Sequence, residues 1–262
     1  MLSSLVSQTL KDFEVIIVDQ NQSLDINSII IKYVDRFKLK HIKCPPCGAS
    51  AARNAGLQYA KGKFITFPDD DCEFPGNLLE QIVEVFSGKD DLDGIGIITK
   101  DKNDGKMIAR LKSKRVRINK KNILSTIIEA GIVVRRDSIG NNLFDENMGV
   151  GSSFPYWSDE GPDFVLQLLK RGKKFEYLPD LFMYHPNPTK VYNDKTSKRA
   201  YQYGMGRGYY LRKNDYPLII VFKYWMIYLI GIGIGIIKMN KGIINYFQRG
   251  LKGRIKGYYS VK

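Results

Sequence analysis

Cysteine and histidine are scarce in this chain. Three cysteines (Cys44, Cys47, Cys72) and two histidines (His41, His185) occur in 262 residues. An odd number of thiols excludes a fully paired disulfide framework, and the lack of a second cysteine pair removes a four-cysteine zinc site. The element Cys44-Pro-Pro-Cys47 therefore reads as a stiff loop, although His41, Cys72 or His185 could supplement it. No secretory signal opens the sequence, so a reducing compartment, most simply the cytoplasm, is expected. Acid is missing from one region: residues 198–262 hold 13 Lys/Arg and the single acid Asp215, a net +12, whereas the preceding 197 residues carry +2. A near-neutral body joined to a basic, apolar tail points to an anionic membrane surface and away from nucleic acid. With 44% hydrophobic and 26% charged residues, wholesale disorder is excluded.

What is present is a strand–helix alternation. Leu2, Leu5, Val6 and Leu10 have helical spacing and lead into Phe13–Val18, a continuous apolar run of the kind covered on both faces. A helix is expected from the stripe Ile26, Ile29, Ile30, Tyr33, Val34 and Phe37, then a weaker strand over 39–43, a small-residue helix over 49–60 and a short strand at Phe64–Phe67. Such an order predicts right-handed β/α units and a mostly parallel, Rossmann-like sheet flanked by helices. From Gly94 to Ile118 apolar and basic residues alternate loosely, which predicts edge or antiparallel strands with one solvated face.

The strand at Phe64 stops at Pro68 and delivers Asp69, Asp70 and Asp71, after which Pro75 opens a helix carrying Leu78, Leu79, Ile82, Val83 and Phe86. Three adjacent carboxylates repel one another. They suit either a solvated acidic turn before a helix N-terminus or a hard-cation site for Mg²⁺ or Mn²⁺. Their place at a strand's carboxyl end, the edge shared with Asp19, favours the site. The helix Gly48-Ala-Ser-Ala-Ala-Arg-Asn-Ala-Gly56 places Arg53 one turn in; its small residues permit either close approach of a nucleotide or tight packing on the sheet. A second acidic cluster, Trp157-Ser-Asp-Glu-Gly-Pro-Asp163, offers a general base beside an aromatic or ordinary helix capping by Asp159 and Asp163.

The tail closes the chain with two apolar helices. Residues 217–237 contain one charge, Lys223, while Gly231, Gly233 and Gly235 interrupt a simple span. Both a transmembrane helix and an in-plane one fit that pattern. Ile244, Phe247, Leu251, Ile255 and Tyr258, interleaved with Lys241, Arg249, Lys252, Arg254 and Lys256, predict an interfacial amphipathic helix.

In order and spacing, Gln8-Thr-Leu-Lys-Asp-Phe-Glu-Val-Ile-Ile-Val-Asp19, the Gly48–Gly56 helix and Phe67-Pro-Asp-Asp-Asp71 resemble the family 2 glycosyltransferases, nucleotide-sugar-dependent enzymes of the glycosyltransferase-A fold. Phe144-Asp-Glu-Asn-Met-Gly149, Asp159-Glu-Gly-Pro-Asp163 and Tyr184-His-Pro186 extend the likeness, which covers about residues 1–215. The resemblance implies an inverting, divalent-cation-dependent sugar transfer to a glycan or lipid-linked acceptor, and the basic tail would dock the chain on the cytoplasmic face of the cell membrane. It implies residues 1–118 as the nucleotide-sugar-binding half, 119–200 as the acceptor-binding and catalytic half, and 201–262 as membrane-associated helices. Asp19 would contact the nucleotide base, Arg53 would be a donor-binding cation, Arg207 would lie near the donor phosphates, and Asp70 near the ribose or phosphates. Asp69, Asp71 and His185 would hold the metal. The position where the family carries its base is Gly161 here, which shifts the expected base to Glu160, then Asp159, then Asp163. The family's first strand and its nucleotide-touching loop precede the equivalent of Gln8, which implies a truncated start and weakened donor binding. A polyprenyl-phosphate sugar synthase and an inactive membrane-bound remnant are the two rival expectations.

Overall fold

The computed structural model describes residues 1–109, 111–187 and 191–260. Arg110, in the basic run of 107–118, lies outside the described residues. In chain order the elements are α1 (Leu2–Val6), β1 (Glu14–Asp19), α2 (Asn27–Ile30), β2 (Lys38–Lys43), α3 (Ala49–Leu57), β3 (Phe64–Thr66), α4 (Leu78–Phe86), β4 (Gly94–Lys100), β5 (Val116–Arg117), β6 (Ile132–Arg135), α5 (Arg136–Ile139), α6 (Glu160–Lys170), β7 (Phe175–Tyr184), α7 (Asp194–Lys213), α8 (Leu218–Ile237) and α9 (Lys241–Tyr259). They form two compact units. The first comprises Met1–Pro46, Ala52–Phe144 and Gly161–Asn187; the second comprises Cys47–Ala51, Asp145–Glu160 and residues 188–262.

The first unit is an α/β body with two sheets. β1 and β2 pair in parallel, Val15 opposite Leu39. Five further strands run in the order β3-β6-β4-β7-β5. That sheet is mixed, not mostly parallel: β4 and β7 are parallel, but β6 runs antiparallel to both β3 and β4, and β5 antiparallel to β7. The β3–α4–β4 unit therefore does not set its two strands side by side, because β6 occupies the place between them. β4 also departs from expectation, since Gly94–Thr99 is buried throughout and has no solvated face. Its ladder with β7 slips between Ile97 and Ile98, opposite the Leu178-Pro179-Asp180-Leu181 stretch, where proline has no N–H to give. Val15, Leu78, Ile82, Phe86, Ile95, Ile97, Val133 and Met183 share one core cluster with the α1 residue Leu5. Fully burying each such side chain contributes about 1.5–3 kcal/mol. The stripe expected to make a helix through Phe37 yields only the short α2. Ile30 and Phe37 are buried and Tyr33 packs on the core, whereas Ile29 and Val34 are exposed.

The second unit is built around three long helices. α9 packs against both α7 and α8. Gly204 and Gly208 of α7 face α9 so closely that any Cβ would run into its backbone at Gly250 and Arg254. Of α8, only Val221, Gly231 and Gly235 are buried.

Candidate functional site

The acidic triplet is positioned from three directions within the first unit. Phe67, just beyond β3, packs edge-on against Phe144 and Phe164, whose rings stack at 4.2 Å. That buried aromatic trio fixes where the chain leaves the sheet. Glu73, beyond the triplet, exchanges both backbone hydrogen bonds with Tyr184 at 2.9 Å, tying the acidic turn to the end of β7. The next residue after β7 is His185, and its imidazole consequently reaches the triplet.

His185 Nε2 lies 3.4 Å from Asp71 Oδ1 and 3.6 Å from Asp69 Oδ2. Its Nδ1 sits 2.7 Å from the Pro186 carbonyl. A carbonyl only accepts, so Nδ1 carries a hydrogen; Nε2 faces the carboxylates, to which it donates when protonated, and its loss of that proton would free a lone pair for a metal. Arg53, on α3, lies over the Phe144 ring and donates from Nη2 to Asp69 Oδ1 at 3.1 Å. Burial pushes the Asp69 pKa up, but His185 and Arg53 outweigh it and hold the carboxyl below the usual range. The closeness of Asp69, reinforced by Asp71, raises the His185 pKa. Asp70 is exposed.

The donor chemistry of this cluster fits a hard divalent cation. Two carboxylates and a tautomerically fixed imidazole could hold Mg²⁺ or Mn²⁺. Cys72 also falls within reach, its ligand atom and those of Asp71 and His185 lying within 4.8 Å of one another. Burial pushes its thiol up to about 12, so it stays protonated and belongs to the core.

Asp19 sits in its own constellation. Its buried carboxylate accepts from the backbone and side-chain amides of Asn21 at 2.9 and 2.7 Å, and His41 Nε2 lies 3.2 Å away. The backbone bond from Asn21 is the main reason its pKa is lowered. His41 was not read as a partner in the sequence, although the β1–β2 register that sets it opposite Ile17 brings it there.

In the second unit, the buried Asp159 and the partly exposed Arg207 form a bidentate pair, Nε to Oδ2 and Nη2 to Oδ1, both at 2.7 Å. Ser158 also donates to Asp159, whose backbone takes φ 68°. One guanidinium thus holds both oxygens of Asp159. Asp163 is buried inside α6, within the first unit. Glu160, the first residue of α6, is also buried. The turn at Gly149, φ 97°, passes so close that a Cβ there would lie 3.4 Å from Glu160 Oε1 and 2.9 Å from the Ser50 hydroxyl. Ser50, one of the small residues of the Gly48–Gly56 pattern, is a buried hydroxyl without a hydrogen-bond partner among the described residues. At Gly161 a Cβ would come within 2.9–3.0 Å of Glu129 and Ile132. A larger side chain at that position would have to displace these neighbours.

Comparison with known proteins bears on the family and the fold. The family model described as glycosyl transferase family 2 matches residues 1–142. The GalNAc(5)-diNAcBac-PP-undecaprenol β-1,3-glucosyltransferase of Campylobacter jejuni is 34% identical over 86 residues, 32% of this chain and 28% of that protein. An Escherichia coli UDP-Glc:α-D-GlcNAc-diphosphoundecaprenol β-1,3-glucosyltransferase is 42% identical over 71 residues, 27% of this chain and 28% of that protein. The matched part thus spans little more than a quarter of each of these relatives. Among solved structures, the mannosyltransferase PcManGT of Pyrobaculum calidifontis, in complex with GDP-Man and Mn²⁺, superposes with a TM-score of 0.65 at 12% identity, covering 100% of this chain and 83% of that one. S. aureus TarS residues 1–349 superposes at 0.61 with 16% identity, covering 99% and 86%. These likenesses establish a glycosyltransferase-like α/β fold with a mixed sheet.

Proposed function

Because the chain belongs to glycosyl transferase family 2, we propose that it is an inverting glycosyltransferase. It moves a sugar from a nucleotide-sugar donor to a hydroxyl of a lipid-linked or cell-surface glycan. The observation that carries the reading is the convergence of Asp69, Asp71 and His185, with Arg53 beside them. Such a cluster of half-exposed carboxylates suits a divalent cation and the diphosphate it would bind. When bound, Mg²⁺ or Mn²⁺ neutralises charge on the departing nucleoside diphosphate. Arg53 adds a fixed positive charge for the same phosphates, and Asp70 is free to reach the ribose. Asp19, held rigid by Asn21 and His41, contacts the base. Glu160 takes the proton of the acceptor hydroxyl as its oxygen bonds to the anomeric carbon. The bond from that carbon to the diphosphate breaks with inversion, and the electron pair leaves with the diphosphate. Asp159 serves by neutralising Arg207 and fixing the chain before Glu160. The basic tail docks the enzyme on the cytoplasmic face of the membrane, where the undecaprenol-linked substrates of its relatives suggest the acceptor.

Thermal unfolding with UDP or GDP and Mn²⁺ tests this. Added together they should raise the Tm, and Asp71→Ala should abolish the rise while leaving the Tm of the free protein close to unchanged. No shift in the intact chain would overturn the reading and favour an inactive remnant.

A further inference from the structure

The three-helix layer of the second unit decides how its apolar helix can meet a lipid. α8 is 20 residues long, enough for a span by length alone. It is, however, packed on α9 along most of its course. Trp225 meets Tyr258 edge-on, Tyr228 lies against Gly250 and under the Arg254 guanidinium, Gly231 abuts the Phe247 ring, and Gly235 abuts Ile243 and Ile244. The two helices are antiparallel partners from one end to the other. α9 carries exposed Arg249, Lys252 and Lys256 within that paired length. If α8 crossed a bilayer, these three cations would be carried to hydrocarbon depth with it, and α7, packed behind α9, would follow with Lys198, Arg199 and Arg212. Charges at that depth are costly unless they face a bundle interior or a water-filled cavity.

The opposite face of α8 has no such conflict. Leu218, Ile219, Phe222, Met226, Ile230 and Ile234 are exposed in succession, and Lys223 is the one charge among them. A groove of about 350 Å³ runs between α8 and α9. Its lining is apolar from Ile232, Leu251 and Ile255, with Lys252 and Lys256 beside them. An acyl chain against isoleucine and leucine with a phosphate at two ammonium groups is the chemistry of an anionic phospholipid at the membrane surface.

We infer that α8 lies flat in the interface of an anionic bilayer, its outward face submerged and Lys252 and Lys256 among the headgroups, and does not span it. This rests on the membrane docking proposed above and specifies its geometry. The test uses the full chain with vesicles of phosphatidylcholine, alone or mixed with phosphatidylglycerol. Ile219→Cys, Met226→Cys and Ile234→Cys, each in a Cys44→Ser/Cys47→Ser background, carry an environment-sensitive fluorophore read by depth-graded quenchers. A flat helix reports one depth at all three sites. A spanning helix separates Ile219 from Ile234 by about 22 Å at 1.5 Å per residue, and graded depths would overturn the inference while leaving membrane docking intact. Lys252→Ala/Lys256→Ala should weaken binding to the phosphatidylglycerol vesicles about thirtyfold and leave the weaker binding to phosphatidylcholine unchanged; undiminished binding would overturn the role of the two lysines. No binding to either vesicle would overturn the docking itself. A dimer in solution, dissolved by Ile230→Asp, would then assign the face to a second copy of the chain. The nucleotide–Mn²⁺ thermal shift reads the proposed chemistry independently of all these outcomes.

Discussion

The two charged constellations of this protein differ in how far their valences are used. In the first unit the side chains of Asp69 and Asp71 remain 44% and 51% exposed, with Arg53 Nη2 3.1 Å from Asp69 and the His185 imidazole 3.4–3.6 Å from both carboxylates. In the second, Asp159 is 5% exposed and both of its oxygens are taken by one guanidinium at 2.7 Å. An open cluster of like charges is poised to gain from an added cation, whereas a closed, neutral pair gains nothing from a ligand and loses heavily if broken. Clusters of acid look alike in a sequence. Exposure and hydrogen-bond saturation separate them.

Glu160 is the residue with which to break that comparison, because it is a buried carboxylate of the second unit to which chemistry is nevertheless assigned. Glu160→Gln keeps its shape and removes its basicity. The expected loss is about 10²–10⁴-fold in kcat with KM for the donor and the Tm nearly unchanged, measured by nucleoside diphosphate release. A variant that turns over normally would return Glu160 to the structural class of its neighbour. The neighbour supplies the next largest effect. Asp159→Ala leaves the largely shielded Arg207 without its partner, close enough to Arg254 for mutual repulsion, and should cost about 3 kcal/mol in denaturant unfolding. Asp159→Leu with Arg207→Met should recover most of that loss. A loss at Asp159 no larger than that of Asp71→Ala would erase the distinction between closed and open clusters.

Much of the first unit was legible because its signals are local. The apolar run of β1, the small residues of α3, the stop at Pro68 and the stripe of α4 each lie within one element, and the acids at a strand end follow from them. The insertion of β6 between β3 and β4 was not legible, since the pairing of Ile65 with Val134 joins residues far apart in sequence and leaves no periodic trace. Asp159 illustrates the same limit at the site. Its position before α6 reads as a helix cap, yet its carboxylate is claimed by Arg207 from another helix. His185 was placed in the site by resemblance; the physical cause is the Glu73–Tyr184 bridge, which neither segment reveals alone.

A smaller effect sharpens the contrast further, through pH. Asp145, also in the second unit, is bound by Lys213 Nζ at 2.6 Å and by the Tyr209 hydroxyl at 3.0 Å. Burial opposes its ionisation, but Lys213 outweighs burial, with the Asn147 amide and Tyr209 assisting, and the pKa is lowered. A carboxyl whose folded pKa lies below its unfolded value contributes stability fully above the unfolded pKa of about 3.9 and loses it as pH falls through the folded one. Asp145→Asn should therefore be less stable than the parent by about 1 kcal/mol at neutral pH, with the gap closing progressively below about pH 4. Chemical unfolding of both proteins across that range measures it. A gap that persisted into strong acid would mean that the amide fails for reasons of shape, and that charge is not what holds Asp145 in place.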